Sequence, residues 1–207
     1  MNNHLKKLAL LFERLPGIGP RQAGRFAYSL LDEKEEVLKE MSAALLALKS
    51  KVKRCAECFR AFDIAENKSK EKEKNICFTC LTHRSSAVIL TVERDIDLEN
   101  IEKLGIYDGR FYVLGGVISP FNNGIDKIRL HAFYRLIKNS PSLEEIIVAT
   151  SATSEGDATA SYLEKILEEF TKTGKIKISR LGRGLSTGSS LEFSDRDTLK
   201  NALNNRR

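Results

Sequence analysis

The four cysteines of this chain fall in two identical pairs, Cys55-x-x-Cys58 and Cys77-x-x-Cys80, with none left over. Each pair turns two thiols to one side of a tight knuckle. Two knuckles can close a tetrahedron around Zn²⁺ with metal–sulfur bonds of about 2.3 Å. The 18 residues between the pairs match the spacing of four-cysteine zinc sites. Four protein thiolates leave no open coordination position, so such a metal would brace a small module and perform no chemistry. A redox pair and a pair of disulfides are the other uses of such cysteines. Two pairs without a neighbouring βαβ pattern argue against the first. The second needs an oxidising compartment, and the N-terminal region carries only a short apolar run with no small-residue cleavage site. The expected compartment is the cytoplasm.

A second group of residues suits a phosphate. Leu15-Pro16-Gly17-Ile18-Gly19-Pro20 reads as a glycine elbow between two helices. Gly17 and Gly19 let the backbone come close to a ligand, and N–H groups opening the next helix make an anion site. Arg21 and Arg25 stand four apart on one face of that helix. The set would grip DNA phosphates without reading bases. The plainer alternative is a helix–helix turn with a solvated arginine face. The unaltered Leu-Pro-Gly-Ile-Gly core is similar to the helix-hairpin-helix motif.

Acidic residues form a third group. Glu93 follows an apolar run at 87–92, and Glu155 and Asp157 stand two apart after another run at 146–149. Ligands gather at the carboxyl edge of open parallel sheets. The arrangement resembles the Toprim domain, in which such carboxylates hold Mg²⁺ for phosphoryl transfer. Here the usual Asp-x-Asp is replaced by Glu155-Gly156-Asp157. Glu93, Glu155 and Asp157 are thus a candidate Mg²⁺ or partner-binding site. Equally, Glu155 and Asp157 suit a helix N-terminus through the dipole alone. Tyr107, Tyr112, Tyr134 and Tyr162 read as packing residues, and no motif makes any of them a strand-breaking nucleophile.

The elements that must position these groups are legible in outline. Leu5, Leu8, Leu11, Phe12 and Leu15 predict a helix over 4–15. Ala23, Phe26, Ala27 and Leu30 predict a second from Pro20. Asp32-Glu33-Lys34-Glu35 reads as a capping box opening a third, which carries Val37, Met41, Ala44, Leu45, Leu48 and Val52. The mixed-charge run at 66–74 reads as a solvated loop. Apolar runs at 87–92, 111–114, 146–149 and 175–178 alternate with helical segments near 97–104, 125–139 and 156–172, which argues a parallel sheet. A short helix over 195–203 would be capped by Asp195. His4, His83 and His131 do not cluster and read as surface or packing residues. The 207 residues allow one medium domain with satellites, no apolar stretch is long enough to span a bilayer, and the net charge of +6 favours an anionic partner such as nucleic acid. A P-loop is absent, which gives no support to an ATPase.

Elbow, cysteine pairs and acidic sheet edge occur in that order. With Leu181-Gly182-Arg183-Gly184-Leu185 and Leu191-Glu192-Phe193 near the end, nearly the whole chain resembles the RecR family of bacterial recombination mediators. The expected fold is a multi-part α+β chain. It has a helix-hairpin-helix region over 1–54, a small four-cysteine zinc-finger module over 55–80, an α/β Toprim-like parallel-sheet domain over 86–180 and a C-terminal tail over 181–207. That tail resembles the family's Walker-B-like segment. The resemblance implies a non-enzymatic DNA-repair factor that binds single- and double-stranded DNA without sequence specificity. It implies a homo-oligomer, a dimer or a tetrameric ring that encircles DNA. It implies RecO, and RecF in many bacteria, as partners in loading RecA on single strands, with Arg21 and Arg25 on the DNA. Three features depart from the family pattern: a longer charged loop between the cysteine pairs, a shortened Asn122-Asn123-Gly124 loop, and Ser186 where a proline is common. The rival activity is a Mg²⁺-dependent Toprim nuclease or primase-like phosphoryl transferase built on Glu93, Glu155 and Asp157.

Overall fold

A computed structural model describes residues 2–65, 75–83, 86–118 and 129–206. The chain divides into two compact units, Met1–Val52 and Lys53–Arg207.

The first unit is helical. Helix α1 (Asn3–Phe12) is capped by the Asn2 side chain, which accepts from the His4 N–H at 3.0 Å. It pairs with α2 (Pro20–Leu31). Small residues allow close approach: Ala9, Ala23 and Ala27 are buried between them, with Leu5, Leu8, Phe12 and Ile18 packed around. The Phe12 and Phe26 rings meet edge to face at 5.8 Å. The expected helix over 4–15 ends early because the chain turns into the elbow, leaving Leu11 and Leu15 half exposed. The capping box at Asp32 does not form. Asp32 serves as the C-cap of α2, and α3 (Glu35–Lys51) starts after Lys34, whose side chain cannot accept a hydrogen bond. No residue of α3 is buried, and its Leu45, Leu46 and Leu48 are exposed.

The second unit opens with a two-stranded sheet of β1 (Val52–Arg54) and β2 (Ala61–Asp63), with α4 (Phe78–Thr82) following the second cysteine knuckle. The main sheet holds β3 (Val88–Val92), β4 (Arg110–Val113), β5 (Glu145–Ala149) and β6 (Lys177–Arg180), all parallel, in the order β4-β3-β5-β6. Helices α5 (Asp95–Leu104), α6 (Leu130–Lys138), α7 (Ser154–Ile166) and α8 (Glu168–Lys172) connect them. Near-continuous apolar strands are expected where both faces are covered, and alternate residues divide between two cores. Ile89, Tyr112, Ile146 and Val148 join Phe133, Ile137 and Leu163 on one face. Leu90, Val92, Phe111 and Val113 join Leu98 on the other.

The sequence-based expectations hold for all four strands and differ at boundaries. The predicted helix over 156–172 is two helices, broken at Leu167. Strand β6 starts two residues later than predicted. Strands β1 and β2 and helix α4 were not anticipated: they are three to five residues long and too short to show a period. The charged run at 66–74, the Asn122-Asn123-Gly124 loop and the start of the helix expected at 125 lie outside the described residues. Asp195 caps α9 (Arg196–Asn204) as expected, accepting from the N–H groups of Asp197 and Thr198. Tyr112 is fully buried and donates to the Arg129 carbonyl at 2.7 Å, and Tyr107 donates to the Val88 and Arg110 carbonyls. Burial pushes the Tyr107 hydroxyl up to about 12.

Leu163 is fully enclosed by the larger core. Leu163→Ala should cost about 2–5 kcal/mol of unfolding free energy in chemical denaturation, without changing the far-UV spectrum of the native state.

Candidate metal centre, nucleic-acid elbow and acidic sheet edge

The cysteine knuckles are built by short backbone bonds. The Cys55 N–H donates to the Arg60 carbonyl at 2.9 Å, the Ala56 N–H to the Asn75 carbonyl at 2.7 Å, and the Cys77 N–H to the Cys55 sulfur at 3.4 Å. All four cysteines are buried and their sulfurs lie within 4.8 Å of one another. The Cys58 and Cys77 sulfurs are 3.6 Å apart. A tetrahedron with bonds of about 2.3 Å has edges of about 3.8 Å, so this donor set could hold a metal ion such as zinc. Hydrogen bonds from Cys58, then Cys77 and Cys80, hold the Cys55 thiol below its ordinary range, while those with Cys55 push Cys58 and Cys80 up. Four packed sulfurs cannot all ionise unless a cation sits among them.

The knuckles are docked on the sheet. The Val113 N–H, at the edge strand β4, donates to the Cys58 carbonyl at 2.9 Å. Buried Arg110, also on β4, donates to Glu57 between the first two cysteines at 2.7 Å. Arg60 makes a bidentate pair with Glu102 of α5 and bonds the Thr79 hydroxyl. The Asp95 carboxylate at the start of α5 accepts from Arg54 at 2.6 Å and from the Ala61 N–H at 2.8 Å. Burial pushes the Asp95 carboxyl up, but these hydrogen bonds outweigh it and hold the group below its ordinary range. Phe59, directly after Cys58, is the one non-glycine residue with positive φ, 62°, among the described residues. That conformation costs roughly 1–2 kcal/mol. Packing offsets it: the Phe59 ring sits edge to face on Tyr112, with the Arg129 guanidinium 4.8 Å from its centroid. These pairs escaped sequence reading because their partners are widely separated along the chain.

In the first unit, Gly17 has φ +80° and Gly19 is the N-cap of α2, with Pro20 in the first turn. The first N–H groups of α2 have no partners within the helix. Arg21 and Arg25 are exposed and have no ion-pair partner among the described residues. Gly17 and Gly19 are exposed as well.

The acidic residues are employed differently from one another. Glu93 is buried at the end of β3, and its carboxylate accepts from the Ser151 N–H at 2.6 Å. It joins β3 to the loop after β5, whose ends the register sets side by side. Thr153 caps α7 by accepting from the Gly156 N–H at 3.1 Å. Glu155 lies in the first turn of α7, and bonding to its own N–H and to the Ser154 hydroxyl lowers its carboxyl. Asp157 turns to Arg183, with bidentate bonds of 3.0 and 2.5 Å, and has Arg180 at 3.6 Å. Hydrogen bonds from Arg183, against a smaller effect of burial, hold its carboxyl below the ordinary range. The cysteines are the one metal-competent grouping of three or more His, Cys, Asp or Glu among the described residues; the acidic trio does not form another. His83 stands 3.5 Å from Asp108, and His4 and His131 are exposed.

Three stretches of the chain match family descriptions: 5–49, "RecR, helix-hairpin-helix"; 87–182, "Toprim domain"; and 184–207, "RecR, C-terminal". The chain belongs to the RecR family. It is 38% identical over 197 residues to the recombination protein RecR of Parasynechococcus marenigrum, covering 95% of each chain. It is 33% identical to that of Lactobacillus helveticus, covering 94% of this chain and 92% of the relative. It is 35% identical over 204 residues to that of Streptococcus thermophilus, covering 98% and 96%. The helical hairpin, the parallel sheet and the C-terminal helix fall within these three stretches, and the four-cysteine cluster lies between the first two. No described helix is long and apolar enough to cross a membrane.

Gly156 lies under this edge. A Cβ there would stand 2.1 Å from the Ser151 carbonyl oxygen, so α7 can close on the loop only through glycine. Alanine is the better helix former, yet Gly156→Ala should destabilise the chain by about 2–3 kcal/mol in denaturant unfolding, because backbone must move.

Proposed function

We propose that this chain is a non-enzymatic DNA-binding recombination mediator. The observation that carries the proposal is the glycine elbow at Gly17 and Gly19 followed by exposed Arg21 and Arg25, which have no ion-pair partner among the described residues. Backbone N–H groups and guanidinium groups at one helix start bind phosphate oxygens, which are common to every sequence and to single and double strands. The working parts are the DNA-gripping region over 1–54, the metal module over 55–80, the Toprim-like domain over 86–180 and the tail over 181–207.

The proposed cofactor is structural Zn²⁺ on Cys55, Cys58, Cys77 and Cys80, because soft thiolates select it and a closed set leaves it no catalytic position. Catalysis at the acidic edge is disfavoured by the engagement of Glu93 with Ser151 and of Asp157 with Arg183. The proposed assembly is a homo-oligomer, a dimer or tetrameric ring acting as a clamp. The unburied α3, with Leu45, Leu46 and Leu48 in water, supports association. RecO and RecF as partners, loading of RecA on single-stranded DNA, and a cytoplasmic setting follow from family membership and are proposed on that ground.

Elemental analysis should find about one zinc per chain. Extracting it should let the Val113 amide exchange rapidly with solvent, since its acceptor belongs to a metal ligand. A metal-free chain with full protection there would refute the structural role. DNA affinity should fall steeply with salt, and Arg21→Gln and Arg25→Gln should each flatten the logarithmic slope by about one. Unchanged binding in the double variant would refute the elbow as the gripping surface, and Mg²⁺-dependent strand cleavage would support the nuclease instead.

A further inference from the structure

The Toprim fold implies a divalent cation at its carboxyl edge, and the residues present do not fit one. Of the three acidic groups, Glu93 is buried with its oxygen spent on the Ser151 N–H. Asp157 already has a cation, the Arg183 guanidinium, bound through both carboxylate oxygens. Arg180 adds a second positive charge at 3.6 Å, itself anchored on Glu164 by bonds of 2.7 and 2.8 Å. A dication approaching Asp157 would meet two guanidinium groups, and repulsion at such distances disfavours it.

Arg183 lies on the chain that leaves β6, the last strand. Its carbonyl accepts from the Asn205 side chain at 2.8 Å, which ties the following helix α9 to the same point. Among the described residues, the Arg183 side chain ties this C-terminal strap, residues 181–205, to the first turn of α7 at the sheet edge. The strap stands off the sheet: a cleft of about 560 Å³ lies between them, bordered by Thr150, Ala152, Asp157, Arg183, Asn201 and Asn205. Arg180 also borders this opening, but its hydrogen bonds go to Glu164 and Ser161, which leaves Arg183 as the guanidinium bonded to Asp157.

We propose that Arg183 serves as a built-in cation at Asp157, so that the C-terminal strap and a divalent metal ion exclude one another at the carboxyl edge of the sheet.

The experiment uses the full chain with its cysteine site loaded. Mn²⁺ binding, read by electron paramagnetic resonance, is compared in the wild type, Arg183→Gln and the Arg183→Gln, Asp157→Asn double variant. Amide hydrogen exchange over 181–205 is followed in the same proteins and in Asp157→Asn alone. Wild type should bind no Mn²⁺ at this edge, Arg183→Gln should gain one site, and the double variant should lose it again. Exchange over the strap should rise about threefold in each variant, a modest factor because the pair is more than a third exposed. Mn²⁺ binding to the wild type as tight as to Arg183→Gln overturns the exclusion. Absence of a site in Arg183→Gln overturns the substitution of one cation for another. Exchange unchanged in both single variants overturns the strap.

Discussion

Among the described residues, one backbone–backbone hydrogen bond joins the four-cysteine module to the main sheet: the Val113 N–H of the edge strand donates to the carbonyl of Cys58. An open parallel sheet must satisfy or cover the polar groups along its edge. Here the cover is a cysteine knuckle, and the knuckle holds its shape only if four sulfurs can be kept together. A cation bound among them would let them ionise in place. Arg110 to Glu57, Arg60 to Glu102 and Arg54 to Asp95 then fasten the same module along β4 and α5. The four-cysteine module in this way covers part of the edge strand β4.

The left-handed Phe59 belongs to the same solution. Glycine would fit that backbone conformation without strain. Phenylalanine accepts the strain because its ring fills space that both cores share, against Tyr112 on one side and under Arg129 on the other. Its carbonyl accepts from Arg54 and Arg129. The residue after the second cysteine thus transmits the position of the knuckle directly to the core.

At the carboxyl ends of the strands, Glu93 and Asp157 take partners within the fold. Glu93 joins two neighbouring strand ends through the Ser151 N–H, Gly156 lets α7 close on that loop, and Asp157 holds an arginine from the tail. Carboxylates that would gather a dication are instead neutralised by backbone dipoles and guanidinium groups.

The sequence by itself determined what is local or periodic. The cysteine spacing specified a four-thiol site, because a CxxC turn needs no distant residue to form. The Gly17–Gly19 elbow and the four apolar strand runs were equally legible, since turn chemistry and burial on both faces leave direct marks in residue type. What ends each element was less so: Asp32 could cap either of two helices, and the neighbouring α2 used it first. Only the tertiary structure decided which charges meet. Asp157 and Arg183 are 26 residues apart and Arg110 and Glu57 are 53 apart. No sequence pattern distinguishes a carboxylate awaiting a metal from one already holding an arginine, because the choice depends on where the folded chain brings the second charge.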